Sequence, residues 1–136
     1  MASPVATGTV SPPGALVVAA DEEMRILLRG LLQLHRVRVE AEAEGSTDAL
    51  RQVREHRPAL IVVDSHLSDG HPGELTVRAR AVVPGVRVVL VAPATHPPAP
   101  SAKEREPDVV LLKPFRIKQF AEAIVLPERP GAAGSR

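Results

Sequence analysis

The chain of 136 residues contains no cysteine, tryptophan or tyrosine, and only two phenylalanines. Without thiols it has no disulfide framework, no thiolate nucleophile and no cysteine-ligated zinc or iron–sulfur centre. So few rings leave no platform for stacking single-stranded bases, and a flavin would lack aromatic partners. An excess of one charge is missing too: 17 Lys+Arg stand against 16 Asp+Glu, a formal charge of +1. Such a balance produces no general field for gathering phosphates, so direct nucleic-acid binding is not expected. Long hydrophobic runs are absent as well. Ala15 to Ala20 and Val88 to Ala92 fall far short of the roughly 20 residues that span a bilayer. The first residues lack the basic-then-apolar order of a signal peptide, so a cytoplasmic chain with no membrane partner is expected.

What is present is material for one core, with 44% apolar and 24% charged residues. Residues 1–14 carry Pro4, Pro12, Pro13, Gly8 and Gly14, and residues 127–136 carry Pro130, Gly131 and Gly134. Both stretches read as disordered tails, leaving 15–126 as a single domain without internal repeats.

Within that domain the period of the apolar residues keeps changing. Ala15 to Ala20 is a continuous apolar run, as expected of a strand buried on both faces. Met24, Leu27, Leu28, Leu31 and Leu32 then recur on one helical face behind the acidic start Asp21-Glu22-Glu23. Val37, Val39 and Ala41 alternate with charged residues as a half-exposed strand, and Gly45-Ser46-Thr47 supplies a turn and cap for a helix over about 48–56. Ala59 to Val63 is a second buried strand. A helix over 74–83 ends at Pro84-Gly85, followed by strands at 86–91 and 109–112. Ile117, Phe120, Ala121 and Ile124 provide the apolar face of a last helix. Alternation of strands and helices with right-handed crossovers predicts an α/β, doubly wound, five-stranded parallel sheet. Its chemistry belongs at the carboxyl ends of the strands.

Two residues stand out at that edge. Asp64 ends the run Ala59-Leu60-Ile61-Val62-Val63, and Lys113 follows the fifth strand and precedes Pro114. Each has a plain alternative: Asp64 as a cap for the loop Ser65-His66-Leu67-Ser68-Asp69-Gly70, Lys113 as a solvated residue beside a turn. Brought together, an ammonium would neutralise an anion formed on the aspartate. His66, His71 and His96 lack the close spacing of a metal site, and Arg78, Arg80, Arg87, Lys103 and Arg105 read as solvated faces. No glycine-rich phosphate loop, nucleophile elbow or paired-carboxylate motif appears, so turnover of a small substrate is not expected.

Over residues 15–126 the sequence resembles the receiver domain of bacterial two-component response regulators. Leu16-Val17-Val18, the acidic first helix with Met24-Arg25, Leu60-Ile61-Val62-Val63-Asp64, Asp69-Gly70 and Leu111-Leu112-Lys113-Pro114-Phe115 carry the resemblance. It implies a flavodoxin-like (βα)5 fold with strand order 2-1-3-4-5. It also implies Asp64 as phosphoacceptor, Lys113 as the lysine contacting the phosphoryl group, a cis bond to Pro114, and a sensor histidine kinase or other signalling protein as partner.

Several positions depart from the pattern. The family's acidic pair falls on Ala19 and Ala20, which weakens any Mg²⁺ site and leaves Asp64, the His66 carbonyl and Asp21 as its remaining ligands. Helix capping competes for Asp21. The family's hydroxyl position falls on Ala92 and its aromatic switch on Val110. Pro93, Pro97, Pro98, Pro100 and Pro107 break up the usual fourth helix, leaving at most a turn or two within 101–106. The resemblance therefore implies a receiver module of a phosphorelay with weak or absent phosphoryl transfer at Asp64. A pseudo-receiver that binds proteins independently of phosphorylation is the alternative. A homodimer stays open, and no DNA-binding helix pair follows residue 126 in this sequence.

Overall fold

The computed structural model describes residues 14–125. Of the tails assigned to 1–14 and 127–136, residues 1–13 and 127–136 lie outside the described residues. Gly14, grouped with the first tail, is the opening residue of β1 and pairs with Arg38.

The elements are β1 (Gly14–Val18), α1 (Glu22–Leu34), β2 (Arg38–Ala43), α2 (Ser46–His56), β3 (Leu60–Asp64), α3 (Pro72–Val82), β4 (Arg87–Pro93), β5 (Val109–Lys113) and α4 (Ile117–Ala123). All strand pairs are parallel, in the order β2-β1-β3-β4-β5.

The continuous apolar runs follow from this geometry. Successive side chains on a strand point to opposite faces, so a strand covered on both sides must be apolar at every position. Ala15, Val17, Leu60, Val62, Val89 and Val91 pack on one face against Leu28 and Leu32 of α1 and Phe120 and Ala123 of α4. Leu16, Val18, Ile61, Val63, Val88 and Leu90 pack on the other against Ala49, Leu50 and Val53 of α2 and Leu75 and Ala79 of α3. Two expected core positions face outward instead. Leu27 is 48% exposed and Ile117 56%, because α1 and α4 each present a stripe narrower than their apolar residues occupy.

The helix starts also differ from expectation. Helix α2 begins at Ser46, and its N-cap is Gly45, which has no side chain to cap with. Asp69 does that work from the loop after β3: its carboxylate accepts from the Thr47 N–H at 3.3 Å and from the Thr47 hydroxyl at 2.5 Å. Its backbone carbonyl accepts from Ser46 N–H at 3.0 Å. Gly70, with φ +76°, lets the chain turn there, and a Cβ would collide with Ser46. Helix α3 starts with Pro72 behind His71, whose Nδ1 accepts from Gly73 N–H at 3.0 Å.

Between β4 and β5 the proline-rich segment forms only a single 3₁₀ turn, Lys103–Arg105. With no helix over it, the outer face of β5 is left bare, and Val110 and Leu112 are each 40% exposed. Arg80 on α3, read as part of a solvated face, instead ties this segment down. Its guanidinium donates to the Glu106 carbonyl at 2.8 Å and to Asp108 at 3.1 Å, while Asp108 also accepts from Val88 N–H at 2.7 Å. No described helix is long and apolar enough to cross a membrane.

Candidate functional site

Parallel register brings the site together. Asp64 ends β3 opposite Val91 of β4, and two residues on Pro93 lies opposite Lys113 at the end of β5. The intervening strand is short enough in width for a lysine to cross, and Lys113 Nζ donates to Asp64 Oδ1 at 3.1 Å. The second carboxylate oxygen accepts from the His66 N–H at 3.0 Å. Asp64 is 4% exposed, so both charge-assisted bonds act where water competes little. The Lys113 side chain keeps 29% of its exposure, which makes the pair the wall of a rim rather than part of the core. The Lys113–Pro114 peptide bond is cis.

The other residues singled out by sequence are placed as follows. Ala19 and Ala20 continue from β1 to the same rim. Ala19 N–H donates to the Ala43 carbonyl, and Ala20 N–H donates to the His66 carbonyl at 3.1 Å. The carbonyls of Ala19 and Ala20 accept from Arg25 Nη1 at 2.7 and 3.2 Å. Asp21 is exposed and acts as the N-cap of α1, accepting from Glu23 N–H at 3.3 Å. Ala92 is fully buried on β4, and Val110 points away from the pair on the bare face of β5. His71 caps α3, and His96 Nδ1 lies 3.0 Å from the Thr95 hydroxyl; neither meets Asp64 in a common cluster.

The residues at this rim do not fit a divalent cation. Mg²⁺ demands several hard oxygen ligands in near-octahedral array. Here one carboxylate is available, and both of its oxygens are already engaged. The flanking side chains are methyl groups, a guanidinium occupies the Ala19 and Ala20 carbonyls, and the His66 carbonyl already has a donor. Among the described residues no group of three or more histidines or carboxylates is arranged to hold a metal.

No protein-family model matches the sequence, and no curated protein matches it. Solved structures do match. A CheY-like response regulator receiver domain protein from Methanospirillum hungatei superposes with a TM-score of 0.70 at 21% identity, covering 84% of this chain and 91% of that one. The fold is that of response-regulator receiver domains. The REC domain of AraT from Geobacillus stearothermophilus is similar at TM-score 0.71 and 22% identity, with 82% and 89% of the two chains covered. The signal receiver domain of NarL from Mycobacterium tuberculosis gives 0.72 at 20% identity, over 93% of this chain and all of the other. At these identities the likeness shows the receiver fold. The side chains at the rim must speak for the chemistry of this chain.

Three residues around the site were not singled out as functional by sequence. Asp69 positions α2, Arg25 fills the carbonyls beside β1, and Arg80 holds the segment after β4. Ser68-Asp69-Gly70 carries a turn signal, yet nothing local says which helix the aspartate would cap. For Arg25 and Arg80, periodicity reports only the helix face, and the partners come from other elements.

Proposed function

We propose that this chain is a receiver-type signalling module that works without magnesium-dependent phosphoryl transfer, passing its signal through protein contacts. The single observation carrying this reading is the state of the Asp64 carboxylate. It is held by Lys113 and the His66 N–H at a rim where Ala19 and Ala20 supply no acid. A dianionic phosphoryl donor approaching Asp64 would meet one lysine and no bound metal, too little positive charge to offset the developing anion. In this reading the Asp64–Lys113 bridge is a fixed tie between β3 and β5 that keeps the rim in one arrangement. Signalling proteins, a sensor kinase among them, are the partner class.

A second reading keeps Asp64 as a phosphoacceptor. It is favoured by the position of the carboxylate at the strand end with an ammonium 3.1 Å away. One experiment separates the two. The protein is incubated with Mg²⁺ and acetyl phosphate, and separately with beryllofluoride, using Asp64→Asn as control. The expected outcome is no phosphoryl adduct by intact mass and no metal-dependent gain in melting temperature. An adduct on the parent chain that Asp64→Asn abolishes would replace the first reading by the second.

A further inference from the structure

The proline-rich segment between β4 and β5 does not lie flush on the sheet. Between it, the start of α3 and the outer face of β4 and β5 is a cavity of about 590 Å³. That volume falls within the range of small-molecule sites. Its floor is apolar, formed by Leu90, Ala92 and Val110, and prolines of the segment form the opposite wall.

Polar residues line the cavity as well, and they are unequal in their commitments. Asp108 is spent on Val88 N–H and Arg80. His71 Nδ1 is spent on Gly73 N–H. Arg105 reaches over the first turn of α3, its Nε and Nη2 each 3.3 Å from where a Cβ on Gly73 would stand. Among the described residues no carboxylate pairs with that guanidinium. Glu106, an exposed residue on the same wall, is the one acidic side chain there without an ion-pair partner among the described residues, and it opposes an anion. Ser65, the residue after Asp64, also lines the space.

We infer that this cavity is a binding site for a small amphipathic monocarboxylate, its apolar body against Val110 and the prolines of the segment and its carboxylate on Arg105. A guanidinium takes a carboxylate through two parallel N–H···O bonds, and the apolar lining accounts for the rest of the molecule. The inference goes beyond the signalling reading by naming a ligand class, and it holds whichever way Asp64 behaves toward phosphodonors.

The test is a titration of the isotopically labelled full chain by amide chemical shifts, without metal or phosphodonor. Octanoate, 1-octanol, inorganic phosphate and a short apolar peptide with a free C-terminal carboxylate are the probes. Octanoate is expected to give saturable shifts at Gly73, Ala92 and Arg105, with 1-octanol and phosphate each binding more weakly. Arg105→Gln is expected to weaken octanoate by about tenfold, the loss of one charge-assisted contact. Glu106→Gln should tighten it. Absence of octanoate shifts, or an affinity that Arg105→Gln leaves unchanged, overturns the assignment. So does a peptide that binds in an Arg105-dependent way where octanoate does not, which would assign the cavity to a protein partner.

Discussion

Asp64 and Lys113 show how unequal two halves of one ion pair can be. The aspartate is almost wholly buried, whereas the lysine reaches it from a half-wet position. Removing the lysine leaves a buried carboxylate with one donor, the His66 N–H. Asp64→Asn leaves no buried charge: its amide oxygen serves one of the two donors, and the partly exposed Lys113 can turn to water. Lys113→Met is therefore expected to destabilise the fold by about 1–3 kcal/mol, and Asp64→Asn by less, as read from urea midpoints by circular dichroism. The reverse order would mean that the carboxylate draws its support from elsewhere. Both residues were legible as candidates because each follows an apolar run at a strand end. Their convergence at one edge was expected too, but the bond itself depends on β4 lying between their strands with Pro93 opposite Lys113.

At the scale of elements, the segment after β4 is the part of the chain where local rules say what cannot form without saying what does. Five prolines forbid a regular helix, and the observed single turn agrees. The way the segment is held became visible only with α3 beside it, through Arg80 bridging to the Glu106 carbonyl and Asp108. Arg80→Ala is expected to cost about 1 kcal/mol and to raise amide hydrogen exchange across residues 99–108, while the β1 and β3 amides stay protected. Unchanged exchange in the segment would show that its backbone is held by other contacts. Helix α2 teaches the same lesson from the other side. Gly45-Ser46-Thr47 marks its start correctly as a turn, but the capping carboxylate comes from Asp69, 22 residues further along the chain than Thr47.

Across the whole molecule, the two sheet faces are filled differently. One has α1 and α4 closing over β1, β3, β4 and β5, with Phe120 as its largest fully buried side chain. Phe120 also stacks on Phe115, ring centroids 5.9 Å apart, so one residue links α4 to the chain just beyond Lys113. Phe120→Ala is expected to lower stability by about 3–5 kcal/mol, measured by denaturant unfolding, through lost burial and the cavity left behind. The other face has α2 and α3 but no helix over β5, which exposes Val110 and Leu112 and opens the cavity beside Arg105.

The amino-acid order by itself determined the alternation of strands and helices, the parallel sheet and the positions of Asp64 and Lys113 at strand ends. Burial on two faces demands unbroken apolar runs, and one-sided burial demands helical periodicity, so both can be read along the chain. Only the tertiary structure decided which apolar residues of α1 and α4 stay outside, which carboxylate caps α2, and which guanidiniums find a carboxylate among the described residues. Those outcomes depend on groups distant in sequence meeting at fixed distances, and a one-dimensional pattern carries no distance between them.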